Sequence, residues 1–298
     1  MVRITAIVAT AMWLFLAGGV AAQAMESGHE TTMELLVLGA DLQYQGLAAE
    51  AEEVFAGLVE RDPDNVFARN QLALARARQG KFEQALEGFS QVFAVHPENS
   101  FSGVWRSVLL LALDRVGEAR ATLEQILTLD PDNADAMYYL GVIHWAQRDS
   151  LEAVRLFLQA QAVNGHSPHT HFRLALAFRS LGMEANARLE IHRTLALDPG
   201  HTGALNVLGW MVYTQGDWTG AQTCWQRVVD LDPSNGDARA NLARILTWRG
   251  LTVVHQGDRD QGLELLQEAL AVNPGDRAAS YALRTMHQEN ISTVSSER

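Results

Sequence analysis

The sequence predicts an all-α fold: a linear stack of about seven helix–turn–helix repeats closed by a C-terminal helix. Three observations predict it. Pro63, Pro97 and Pro131 recur every 34 residues, and the same step lands on Gly165, Pro199 and Pro233 before a last interval of 41 residues reaches Pro274. Glycines punctuate the middle of the period, at Gly80, Gly182, Gly216 and Gly257. Small residues recur at two fixed sites in each period. A period of this size held so many times marks an array in which each unit stacks on its neighbours.

Taken from the start, Arg3 is followed by the uncharged apolar run Ile4–Ala17 and the small-x-small site Ala22-Gln23-Ala24. This pattern predicts a signal peptide over 1–24 cut after Ala24, an N-terminal segment over 25–31 and a periplasmic or secreted product. The alternative is an inner-membrane anchor made by an uncleaved N-terminal helix. The apolar run is shorter than the ~20 residues a spanning helix needs, which favours cleavage. No cysteine follows the run, so attachment at a lipobox is excluded.

Thr31 and Glu34 form the Thr-x-x-Glu pattern of a capping box, which opens the first repeat. The repeats are 32–65, 66–99, 100–133, 134–167, 168–201, 202–235 and 236–276. Each ends at a patch such as Leu129-Asp-Pro-Asp-Asn133 or Leu231-Asp-Pro-Ser-Asn235. Proline disfavours helix in the residue before it, and the following Asn, Asp or Ser caps the next helix. Gly80, Gly182, Gly216 and Gly257 end the first helix of their repeats, where left-handed backbone angles are needed.

The first helix carries Gly39, Ala73, Ser107, Gly141, Ala175, Gly209 and Ala243 at one register position. The second carries Ala51, Ala85, Ala119, Ala153, Ala187, Ala221 and Gly262, followed by Phe55, Phe89, Leu123, Phe157, Ile191, Trp225 and Leu266. Small residues let the paired helices approach; the large ones at i, i+3 and i+4 spacing give each a buried face. The last repeat has seven extra residues between Arg249 and Gly257. Seven residues are about two helical turns, so a lengthened first helix keeps its phase; a loop insertion is the alternative. Residues 277–288 predict a capping helix, with Ala279, Ala282, Leu283 and Met286 on its apolar side and Arg277, Ser280, Arg284 and His287 on the other. Residues 289–298 predict a flexible tail.

These residues resemble the tetratricopeptide repeat (TPR) family, as in Leu140-Gly141, Ala153 and Phe157, or Leu208-Gly209, Ala221, Trp225 and Pro233. The resemblance covers residues 32–276. It implies a right-handed superhelix, an α-solenoid, whose first helices line a concave groove that binds a protein or peptide. The matching outward positions are Phe67, Asn70, Leu74, Arg78, Phe101, Val104, Tyr138, Val142 and Trp145, then His169, Phe172, Leu176, Arg179, Asn206, Trp210, Tyr213, Arg244 and Trp248. The set is rich in aromatics and Arg, the residue types that dominate binding hot spots. Arg78, Arg179 and Arg244 suit an acidic ligand by bidentate pairing.

Net charge of −12, with acids and bases interspersed, argues against nucleic acid, whose phosphates need Lys and Arg. Cys224 is the only cysteine, so no intramolecular disulfide forms; a packing thiol is expected there. No phosphate loop, zinc-peptidase helix or nucleophile elbow is present. His166, His169 and His171 cluster in sequence but straddle a turn, and residues two apart on a helix face different ways. The chain therefore reads as a non-enzymatic scaffold without metal or cofactor, assembling a cell-envelope complex. A maturation chaperone or accessory subunit of an exported enzyme, and a self-assembling homo-oligomer, are the competing readings.

Overall fold

The computed structural model describes residues 31–296, with side chains placed through Met286. The expected signal peptide lies outside the described residues, as does nearly all of the 25–31 segment. The described residues are all-α: fifteen helices and no strand. They fall into two compact units that divide between Gly165 and His166.

The first unit contains four antiparallel pairs: α1 (Thr32–Tyr44) with α2 (Ala48–Arg61), α3 (Val66–Arg78) with α4 (Phe82–Val95), α5 (Ser100–Ala112) with α6 (Val116–Leu129), and α7 (Ala134–Ala146) with α8 (Ser150–Val163). The second contains three pairs and a final helix: α9 (Pro168–Ser180) with α10 (Glu184–Leu197), α11 (Thr202–Tyr213) with α12 (Trp218–Leu231), α13 (Gly236–His255) with α14 (Arg259–Val272), then α15 (Arg277–Ser296).

The capping chemistry read from the sequence sets these ends. Thr31 and Glu34 make the reciprocal capping box. The side chains of Asn65, Asn99, Asn133, Ser167 and Asn235 each accept the backbone N–H three residues on. Such a cap stabilises its helix by about 1 kcal/mol. In two repeats the mid-repeat turn lacks glycine: Asp114 and Arg148 hold the left-handed conformation, at φ 60° and 66°. The closing hydrogen bonds match those at the glycine turns, from Arg115 N–H to the Leu110 carbonyl and from Asp149 N–H to the His144 carbonyl.

The small sites lie where the helices touch. A Cβ built on Gly141 would sit 2.7 Å from the Phe157 ring, and one on Gly209 2.7 Å from Trp225 Nε1. Phe55, Phe89, Leu123 and Phe157 are fully buried in the first unit, as are Ile191, Trp225 and Leu266 in the second. Each such side chain contributes about 1.5–3 kcal/mol by leaving water.

The seven extra residues lengthen the first helix of the last pair, which runs 20 residues. The residue brought against Gly262 is Gly250, seven positions past Ala243, and a Cβ there would lie 3.0 Å from the Gly262 carbonyl oxygen. α15 buries Ala279, Ala282 and Met286, as its apolar pattern requires. It continues to Ser296, eight residues beyond the expected end, so most of the anticipated tail is helical; no Gly or Pro interrupts that run.

Candidate functional site

The outward positions of the first helices meet different fates in the two units. In the first, Phe67 stays 52% exposed. Asn70 does not: it is 5% exposed, and its Oδ1 accepts a 2.8 Å hydrogen bond from Ser102 Oγ on α5. Leu74, Val104 and Val142 are buried as well. These four expectations are corrected. On a first helix those positions face the first helix of the next or preceding repeat, and the neighbour covers them. Arg78 is committed too, since its Nη1 donates to the Gln43 carbonyl at 2.6 Å, tying α3 to α1. Its partial burial pulls the guanidinium pKa below its ordinary value.

Phe101 packs edge-on to Phe89, with centroids 6.2 Å apart, and Trp105 stacks on Phe89 at 6.1 Å. Trp105 lies outside the expected set, although its one-turn spacing from Phe101 is a usable signal. Tyr138 packs against Tyr139 and Phe157, at 5.0 and 5.8 Å. Trp145 is half-buried. The aromatic positions of this unit are therefore largely absorbed into the stack.

In the second unit three of the aromatics expected from the sequence, Trp210, Tyr213 and Trp248, join one continuous cluster with Trp218 and Trp225, while Phe172 packs apart from it. Trp210 meets Trp225 and Tyr213 edge-to-face, at 5.2 and 5.4 Å. Tyr213 meets Trp218 at 4.8 Å, and Trp218 lies 4.9 Å from Trp248 with rings inclined by 34°. Trp248 is 46% exposed. The Arg244 guanidinium carbon lies 5.8 Å from the Trp210 ring centroid, a cation–π contact. Arg244 is exposed, and among the described residues no carboxylate forms an ion pair with it. Trp225 is the buried anchor: its Nε1 donates to Asn206 Oδ1 at 2.9 Å, so Asn206 is engaged in orienting the cluster. Trp218 sits at the start of a second helix, which the first-helix register does not reach; the Gly216-Asp217-Trp218 turn is its visible signal.

The histidines separate as their spacing requires. His171 Nδ1 lies 2.6 Å from Glu190 Oε2, both buried, and Glu190 Oε1 accepts from Arg193 Nη1 at 2.6 Å. Val54, Gly88, Thr122, Leu156 and Cys224 hold the register position of Glu190 in other repeats, so this buried ionisable group is particular to one repeat. His169 lies 6.0 Å from His201, which packs 4.5 Å from Phe172. Burial lowers the pKa of both imidazoles, keeping them neutral at pH 7. His201 Nδ1 accepts the Ala204 N–H at 3.1 Å and so serves as the α11 cap. Leu176 is half-buried and Arg179 exposed. Burial raises the Cys224 pKa, aided by the charge of Asp217, so the thiol stays protonated. Among the described residues no group of three His, Cys, Asp or Glu is placed to hold a metal ion.

The family model of the tetratricopeptide repeat matches residues 36–99, 106–167 and 207–250. The cytochrome c-type biogenesis protein CycH of Pseudomonas aeruginosa is 28% identical over 128 residues, covering 42% of this chain and 31% of CycH. The formate-dependent nitrite reductase complex subunit NrfG of Escherichia coli O157:H7 is 27% identical over 113 residues, covering 37% of this chain and 57% of NrfG. The solved structure of Pseudomonas aeruginosa pilF superposes with a TM-score of 0.59 at 16% identity, covering 75% of this chain and 97% of that one. The chain spans from 20% to 57% of the length of the curated relatives it matches.

Proposed function

This chain belongs to the tetratricopeptide repeat family, and from that premise we propose that it is a non-enzymatic scaffold gripping a segment of a partner protein. The observation that carries the reading is the cluster of Trp210, Tyr213, Trp218 and Trp248 beside Arg244. Trp and Tyr present large rigid apolar faces with little side-chain entropy to lose. Arg244 supplies a charge-assisted donor for a carboxylate on the bound segment. An extended peptide with an apolar residue over Trp248 and an acidic group near Arg244 satisfies both.

The N-terminal pattern supports export, with processing after Ala24 and action in the periplasm or outside the cell; an anchored form at the inner membrane is the alternative. No helix among the described residues is long and apolar enough to cross a membrane. Assembly of a cell-envelope complex is the setting this suggests. The names of CycH and NrfG favour one variant of it, a maturation factor or accessory subunit of an exported enzyme.

The test is affinity capture from the native envelope with the wild-type chain and the double variant Arg244→Ala, Trp248→Ala, with captured proteins identified by mass spectrometry. The expected result is a partner retained by the wild type and lost by the variant, whose melting temperature stays close to wild type. A partner retained equally by both removes this surface from the reading.

A further inference from the structure

The first helix of the array carries an apolar stripe that nothing among the described residues covers. Met33, Val37, Ala40 and Tyr44 stand on one face of α1, spaced by 4, 3 and 4 residues; Met33 is 68%, Val37 49% and Tyr44 56% exposed. That alternation of four- and three-residue steps keeps the four side chains on one face along about 16 Å of helix, the pattern that seats a second helix. The corresponding central positions in the next three repeats are covered. Leu74, Val108 and Val142 stand where Ala40 does, and all are buried; Tyr139 stands where Val37 does and is buried too. For α3 the covering element is α1 itself, since Gln43 Nε2 donates to the Gln71 carbonyl and Arg78 Nη1 to the Gln43 carbonyl. At its centre, Val37 and Ala40, the α1 seam thus has the chemistry of a contact between repeats, with no described repeat on its outer side. At the other end of the array, the face of α15 away from its buried residues carries exposed Arg277 and Arg284 beside a single exposed ring, Tyr281.

The geometry points to a second copy of this chain as the occupant, its α1 packed antiparallel on this α1 about a two-fold axis. The 4-3-4 spacing reads the same in both directions, so an antiparallel partner places Met33 against Tyr44 and Val37 against Ala40 in both halves of the interface. Such self-complementarity is what a two-fold contact requires. Charge selects the direction. Glu34 borders the seam at its N-terminal end; antiparallel pairing sends the two Glu34 carboxylates to opposite ends, whereas parallel pairing would set them side by side. Antiparallel packing also opposes the two helix dipoles favourably. With processing after Ala24, six residues precede Thr31, and Met25 is their one large apolar side chain, too little to cover the seam. A single helix pair buries little area, so the dimer is weak and concentration-dependent.

The experiment is analytical ultracentrifugation over a wide concentration range on the exported chain, expressed with its leader in a host that processes it. The wild type is expected to dimerise. Val37→Glu, at a half-exposed site, is expected to raise the dimer dissociation constant at least tenfold at unchanged melting temperature. Mixing Val37→Glu with Ala40→Lys chains is expected to restore pairing, because antiparallel register sets the introduced carboxylate of one chain against the introduced ammonium of the other. A monomer at every concentration overturns the proposal, as does a dimer indifferent to Val37→Glu or a mixture without rescue. An unprocessed chain that stays monomeric while Val37 is protected from labelling also overturns it, assigning the seam to residues 1–24.

Discussion

The first helices of residues 66–146 and those of residues 202–255 share one register and put it to different uses. In the first stretch, Asn70, Leu74, Val104 and Val142 are consumed by packing between repeats, and Arg78 ties two helices together. In the second, Trp210, Tyr213 and Trp248 gather around the buried Trp225 and leave an aromatic face and Arg244 half or fully open. The aromatic contacts differ in extent: Phe89 packs with Phe101 and Trp105 and Phe157 with Tyr138, whereas Trp225, Trp210, Tyr213, Trp218 and Trp248 run as one chain of rings that ends at the 46% exposed Trp248. An outward register position therefore does not by itself leave a residue open: Asn70 and Leu74 hold such positions and are buried, whereas Phe67 and Trp248 stay about half exposed.

The comparison assumes one packing rule beneath both surfaces, and the largest expected effect tests that. Gly141→Leu and Gly209→Leu each force a side chain into a ring 2.7 Å away. Each should cost about 3 kcal/mol or more, read as a large fall in melting temperature. If only one of them destabilises, the two units do not share the rule. Glu190→Ala comes next. It strips a partner from buried His171 and from Arg193, and should cost about 2–3 kcal/mol, with local hydrogen exchange rising first in α9 and α10. Glu190→Gln, which keeps a hydrogen-bonding acceptor, should cost less; equal losses would mean the charge matters and the geometry does not.

The contrast sharpens in the pair Asn70→Ala and Trp248→Ala. Ser102 keeps Asn99 when Asn70 is truncated, so the loss is about 1 kcal/mol of stability with partner capture unchanged. Trp248→Ala should cost a similar amount through lost stacking on Trp218 but weaken capture about thirtyfold, the ~2 kcal/mol of a hot spot. Equal effects on capture would erase the distinction between the two stretches. The smallest effect is a pH dependence confined to the second unit. Burial depresses the pKa of His169 and His201 in the folded state, so between that depressed value and the ordinary ~6.5 the unfolded chain binds more protons. Their contribution is intact above pH ~6.5 and is lost as pH falls toward the folded value. Protonation also removes the Nδ1 acceptor that caps α11. His201→Asn, a cap that does not titrate there, should flatten the denaturation midpoint between pH 5 and 7; an unchanged slope would assign it elsewhere.

The repeat, its turns and its core were legible because each rests on a local rule repeated in register. Pro63, Gly216, Ala153 and Phe157 do the same work wherever their position recurs. The lengthened α13 was legible because seven residues preserve helical phase, while its true contact at Gly250 needed the opposing helix. The turns at Asp114 and Arg148 were not legible, since neither is glycine although both hold left-handed angles with the same closing hydrogen bonds as the glycine turns. The surface was half legible. Residue type pointed to Trp210, Tyr213, Arg244 and Trp248, but Trp218 joins them from a second helix, and the burial of Asn70 depends on Ser102, 32 residues away in sequence.

Hydrogen–deuterium exchange on the chain with and without its captured partner tests the central claim most directly. The account predicts new protection in residues 202–213 and 236–255, carried by the aromatic cluster, and little change in the exposed faces of the second helices. Protection confined to α2, α4, α6 or α8, with 202–255 unchanged, would contradict it.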